Sequence, residues 1–191
     1  MNVLIDGLPT RAEIDGAEYE INTGYRVGLQ IMTAFEDPDL TGFEKQCVML
    51  ELLYPVIPPD RAKAAEIAVK FLNCGEESTD GSFTGVTDSE RYYSFTQDAR
   101  YIMSAVEQTY HIDLSQVEYL HWWKFSYMFL DLNEDCFFCK LIYLRKQKAK
   151  GKLTKEEQEW YRSIRHIVDL PEVYTADEQS AINDFMAQLG Q

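Results

Sequence analysis

At 191 residues, 46% of them apolar and 13% aromatic, the chain is long enough for one domain with a substantial core. Its formal charge of −14 excludes an overall electrostatic footprint for DNA, RNA or anionic lipid, since those surfaces repel an acidic partner. No stretch of 18 residues lacks a charge, and Met1 to Leu8 is neither basic nor continuously apolar. Neither a membrane span nor a signal peptide is therefore expected, and the chain should stay in the cytoplasm that makes it.

Residues 11 to 21 alternate, with Ala12, Ile14, Ala17, Tyr19 and Ile21 as the apolar members and Asp15-Gly16 between them. Asp-Gly flanked by alternating residues predicts a β-hairpin, because both central positions of a type I′ turn need positive φ. Val3-Leu4-Ile5 is a candidate third strand, with Asp6-Gly7 and Pro9 as turn residues. A lone hairpin is marginal in water, so it must lie on the helices or pair with another chain. Ile14, Tyr19 and Ile21 are accordingly candidate interaction residues.

From residue 22 onward the signals are helical. Thr41/Glu44, Thr87/Glu90, Ser115/Glu118, Thr154/Glu157 and Thr175/Glu178 each have the spacing of a capping box, in which both side chains satisfy first-turn N–H groups. Two further helices are expected without the box. One runs from about Tyr25 to Phe35; the other runs from Pro59, in its tolerated first-turn position, to Leu72. Pro55, Pro58 and Pro59 break the chain after Tyr54. Asn73 to Val86, with three glycines among acidic and hydroxyl residues, reads as a loop between two units.

Beyond the loop, Tyr92, Phe95, Ala99, Ile102, Val106 and Tyr110 recur at helical spacing. After the break at His111-Ile112-Asp113-Leu114, Leu120, Trp123, Tyr127 and Leu130 form one stripe and Trp122, Phe125 and Phe129 another. A helix apolar almost all round should be central. Ala149 to Lys152 and Leu170-Pro171 end two later helices, and Ala181 to Leu189 forms a short final one. The expected architecture is mainly α (α+β), a bundle of about seven or eight helices with an N-terminal β-hairpin. It divides into 1–73 (hairpin plus helices), a loop at 74–86 and a helical unit at 87–191.

Charge is unevenly placed: residues 1–90 hold 6 Lys and Arg against 17 Asp and Glu, and residues 91–191 hold 12 against 15. Lys140, Arg145, Lys146, Lys148, Lys150, Lys152 and Lys155 form one basic run. It reads as a solvated helix end, favourable to the helix dipole, or as a docking patch for an acidic surface, such as that of another copy of the chain. Lys146, Lys148 and Lys150 are the interaction candidates there. The four cysteines read as reduced thiols, and Cys136-Phe-Phe-Cys139 lacks the second ligand pair of a zinc site and the strand-then-helix setting of a redox pair.

Chemistry has few footholds. Asp131 to Asp135 opens like a calcium loop, but Cys136 and Ile142 stand where Gly and a bidentate Glu are needed. No Gly-rich phosphate loop, GxSxG or HExxH occurs. The remaining polar constellation is Asp98, His111, Asp113 and His121. One reading is structural: Asp113 caps a helix, His121 is a satisfied core imidazole, and Asp98 pairs with Arg100, Lys124 or water. The other makes Asp98 and His121 an acid/base pair.

These same residues carry a resemblance. Tyr92-x-x-Phe95-x-x-Asp98-Ala99, Tyr110-x-Ile112-Asp113-Leu114 and Leu120-His121-Trp122-Trp123-Lys124-Phe125 resemble the signature of the bacteriophage "gp fifteen" family. Ile14-Asp15-Gly16 with Thr23-x-x-Arg26, and Tyr161-Arg162-x-x-Arg165 with Leu170-Pro171, are similar as well. The resemblance implies a protein of the tail-morphogenesis block of long-tailed phages. Proteins in that position are commonly tail assembly chaperones that bind the tape measure protein and help the major tail protein polymerise. The family carries no catalytic residue to transfer, and no cofactor or metal is expected. A homo-oligomer in the host cytoplasm, absent from the mature virion, is expected, and the chain's own charge and hydropathy leave no nucleic-acid and no membrane partner expected. The rival expectations are a structural virion component (a head-tail connector or tail completion protein), an enzyme using Asp98 and His121, and a nucleic-acid binder using the lysine run.

Overall fold

The computed structural model describes residues 2–76 and 92–170. The expected boxes at Thr87/Glu90 and Thr175/Glu178, the final helix and most of the 74–86 loop lie outside the described residues.

The chain opens with one helical turn, α1 (Val3–Asp6), where a strand was expected. Its ends explain the difference. Asn2 Oδ1 accepts the Leu4 N–H at 3.1 Å, the Asp6 carboxylate accepts the Asn2 N–H at 2.7 Å, and Gly7, at φ 77°, turns the chain away. The predicted hairpin follows as β1 (Arg11–Ile14) and β2 (Ala17–Glu20), antiparallel with Ala12 opposite Tyr19 and Ile14 opposite Ala17. Asp15 and Gly16 have φ of 52° and 76°, as a type I′ turn requires. Ala12 and Ile14 are buried as β1 packs on α4, so the hairpin rests on the helices.

Three helices follow: α2 (Tyr25–Glu36), α3 (Gly42–Leu53) and α4 (Arg61–Leu72). Both halves of the Thr41/Glu44 box are formed. For α4 the expected start shifts by two residues, because the Asp60 carboxylate accepts the Lys63 N–H at 3.1 Å and becomes the cap, leaving Pro59 ahead of the helix.

The helix expected from Tyr92 begins only at Ala99, as α5 (Ala99–Tyr110). The preceding backbone is held by side chains: Ser94 Oγ accepts the Thr96 and Gln97 N–H groups, and the Glu36 carboxylate accepts the Phe95 N–H at 2.8 Å. His111, at φ 56°, ends α5 in the left-handed conformation. The Ser115/Glu118 box starts no helix. Asp113 accepts both the Ser115 N–H and its hydroxyl, at 2.8 and 2.6 Å, so that hydroxyl is already engaged. The chain next coils at α6 (Trp122–Leu130), then α7 (Phe137–Ala149), α8 (Lys155–Ser163) and α9 (Arg165–Val168). Gly151, at φ 64°, follows the end of α7, and the Thr154/Glu157 box opens α8.

The fold is thus mainly α with an N-terminal hairpin. The described residues contain nine helices, of which α1 and α9 are single turns. In packing order β1 lies on α4, α4 on α3, α3 on α2, α2 on α6, α6 on α5, and α5 on α7. One buried cluster takes residues from both sides of the 74–86 loop, including Ile31, Leu53, Phe71, Val106, Trp122, Phe125 and Phe138. A smaller one, Leu141, Leu144 and Val168, joins α7 to α9.

Candidate functional site

The two adjacent tryptophans at the start of α6 have a definite task. The last carbonyls of a helix lack intrahelical partners. Trp122 Nε1–H donates to Leu72 O at 2.9 Å and Trp123 Nε1–H to Phe71 O at 2.7 Å, so both indoles close the C-terminus of α4. Trp122 also lies against Gly28 of α2, where any Cβ would stand 2.1 Å from its ring. From there the aromatic packing runs on. Phe125 stacks on Trp122 and on Tyr25, Phe129 stacks on Phe125, and Phe95, Tyr93 and Phe138 surround Phe129. Burial pushes the Tyr93 phenol up to about 12, helped by the charge of Glu36. At the other end of α6, the Tyr110 hydroxyl lies 2.8 Å from Asp131 O and 3.1 Å from Met128 O.

His121 caps α6. Its Nδ1 accepts the Trp123 N–H at 3.0 Å, which leaves the ring proton on Nε2 to donate to Pro9 O at 2.9 Å. Burial lowers its pKa below 6.5, against an opposing effect of the Pro9 carbonyl. Beside it, Tyr25 N–H donates to Leu120 O and Trp122 N–H to Thr23 O, an antiparallel bridge that joins the starts of α2 and α6.

Asp98 has a different partner from those expected. Arg145, which the sequence places in a solvated basic run, is 6% exposed and grips Asp98 with bonds of 2.6 and 2.9 Å. Arg145 also donates to Tyr92 O, Ile167 O and Val168 O, so its five N–H donors meet five acceptors. Ser94 N–H gives Asp98 a further bond. The signal was present in the sequence: Phe138, Leu141, Leu144 and Arg145 share one buried face of α7.

No hydrogen bond or ion pair joins any two of Asp98, His111, Asp113 and His121. Asp113 is exposed, and its bonds from the Ser115 hydroxyl and N–H hold its carboxyl below the usual range. Cys136 Sγ caps α7 by accepting the Cys139 N–H, while burial and the neighbouring Cys136 push the Cys139 thiol up to about 12. Among the described residues no group of three or more His, Cys, Asp and Glu can hold a metal, and no helix is long and apolar enough to cross a membrane.

The interaction candidates divide. Ile14 and Ile21 face the chain's own core and Tyr19 is half-buried, so these three are already largely covered by the chain itself. The outward side carries Arg11, Glu13, Glu18 and Glu20. Lys146 and Lys150 are exposed, and Lys148 pairs with Asp169 at 2.5 Å. Among the described residues, apolar clefts also open on the surface in two places. One, of about 280 Å³, lies between α2 and α5 and is lined by Tyr25, Leu29, Ile102, Met103, Leu114 and Phe125, with Arg26 at its edge. The other, of about 230 Å³, lies beside α6 and is bordered by Tyr127 and Leu130, the latter 81% exposed.

Fold and site together define a mainly helical protein organised on a Trp-Trp helix, with a hairpin at its start and apolar clefts at its surface. The chain belongs to the family described as Bacteriophage Gp15 protein, whose model matches residues 4–170. It is therefore a phage protein of the morphogenesis or virion type. No curated protein and no solved structure matches the chain.

Proposed function

We propose that this chain is a non-enzymatic tail assembly factor, a chaperone that holds the tape measure protein in the host cytoplasm while the major tail protein polymerises. The observation that carries this reading is the cleft between α2 and α5. It is an open apolar groove on a phage protein of charge −14, and a groove between two helices suits the apolar face of a third. The high charge keeps such a holder in solution while its groove is empty. The two groups the sequence offered as an acid/base pair are engaged elsewhere, Asp98 by Arg145 of α7 and His121 by the start of α6 and Pro9 O, which favours binding over catalysis.

Coexpression with a fragment of the tape measure protein, read by light scattering, tests the reading. A soluble complex with several copies of this chain per fragment is expected, and Met103→Glu, which places a charge in the groove, should return the fragment to the insoluble fraction. A fragment that precipitates untouched, together with the chain found in purified particles, would replace this reading with a structural virion component such as a head-tail connector or tail completion protein.

A further inference from the structure

The outward face of the hairpin is unusual in its charge. Glu13 and Glu18 sit directly opposite each other in the register, an arrangement of like charges that weakens a strand pair. Arg11 relieves it on one side only, reaching Glu18 at 2.9 Å and Glu20 at 4.0 Å. Glu18 and Glu20 nevertheless remain 67% and 76% exposed, and among the described residues no cation pairs with Glu13. In a two-residue hairpin the pair next to the turn, Ile14 and Ala17, exchanges the ladder bonds, so the peptide groups of Glu18 and Glu20 point out from the free edge of β2.

The opposite character sits at the far end of the molecule's packing order. Residues 136–155 contain seven Lys and Arg and no Asp or Glu. Arg145 is consumed by Asp98 and Lys148 by Asp169, but Lys150 and Lys152 directly follow α7, Lys155 opens α8, and all three are exposed. The helices α4, α3, α2, α6 and α5 come between the hairpin and α7 in the packing order, and among the described residues no ion pair joins Glu13, Glu18 or Glu20 to Lys150, Lys152 or Lys155.

We infer that the acidic outer face of the hairpin in one copy docks on the lysine end of α7 in a second copy, a head-to-tail contact between unlike surfaces. Such a heterologous contact repeats from copy to copy and closes into a ring or runs on as a filament. Nucleic acid is the poorer occupant of the lysine end, because the rest of a chain at −14 repels it. The contact does not depend on the client proposed above, and its test uses this chain alone.

Sedimentation velocity of the full chain at about 50 mM and about 500 mM salt should show an assembly that dissociates as screening shortens. Glu18→Lys/Glu20→Lys and Lys150→Glu/Lys152→Glu should each weaken association by roughly tenfold or more. Mixed in equal amounts they should reassemble to the wild-type size, because every contact between the two variants is again one of opposite charge. The neutral Glu18→Gln/Glu20→Gln pair should weaken assembly less. A wild-type chain that is monomeric at low salt, a reversed variant that assembles as before, or a mixture of folded variants that stays apart would each overturn the inference.

Discussion

Gly28→Ala isolates the fit between α2 and the Trp-Trp helix. By helix propensity alone the change should stabilise α2 by about 1 kcal/mol. In the structure, however, the new Cβ would stand 2.1, 2.4 and 2.7 Å from three carbons of the Trp122 ring, where carbon atoms pack at about 3.5 to 4 Å. Trp122 cannot retreat by more than an ångström and keep its 2.9 Å bond to Leu72 O. Overpacking of this kind costs about 1 to 3 kcal/mol, and a buried N–H left without its acceptor costs a similar amount. With the propensity gain set against them, the net loss should be about 1 to 5 kcal/mol. Urea denaturation followed by tryptophan fluorescence would show it as a fall in midpoint of about 0.5 to 2.5 M, at a slope of about 2 kcal/mol per M. Gly42→Ala is the control: it lies at the first position of α3 with nothing within 4 Å of a new Cβ, and it should gain several tenths of a kcal/mol. In a Trp122→Phe background the loss from Gly28→Ala should shrink, as coupled neighbours require. A Gly28→Ala chain as stable as wild type would refute the argument that the indole is fixed in place.

Asp98→Ala leaves a buried guanidinium without its counter-charge and should cost about 3 to 5 kcal/mol by chemical denaturation, while Asp98→Ala/Arg145→Met should cost less than the two single changes together. His121 binds its proton more weakly folded than unfolded, so stability is fully present above pH 6.5 and is lost as pH falls from there toward the lowered folded value. A denaturation series across that window should flatten in His121→Asn, which can still cap α6 but does not titrate; an unchanged slope would place the titration elsewhere. Thr154→Ala removes one half of the box that opens α8 and should cost about 1 kcal/mol, measured as a shift in the same midpoint.

The parts of the fold visible in the sequence are those written in local chemistry. Asp15-Gly16 specifies its turn through backbone φ, and Thr41/Glu44 and Thr154/Glu157 specify their helix starts through neighbours three residues away. Where a distant group competes, local spacing misleads. Ser115 has a cap's spacing from Glu118, yet Asp113 holds its hydroxyl, and the helix waits for His121. The stretch from Tyr92 to Asp98 keeps the apolar period of a helix while Glu36, 58 residues from Ser94 along the chain, holds its backbone in another shape. Arg145 shows the same limit at the site itself. A cation within a lysine run reads as solvated until the fold supplies four backbone and carboxylate partners around it, and only the apolar face it shares with Leu141 hints at burial.

The two indoles that close α4 also make the molecule its own reporter. Of the three tryptophans, Trp122 and Trp123 are buried and donate to the end of one helix, while Trp160 sits half-buried on the smaller cluster of α7, α8 and α9. Light absorbed by the first pair is emitted from a dry, hydrogen-bonded setting that exists only while α6 holds the end of α4. With Trp160→Phe, the emission colour of the remaining pair becomes a gauge of that one junction, readable without any attached dye.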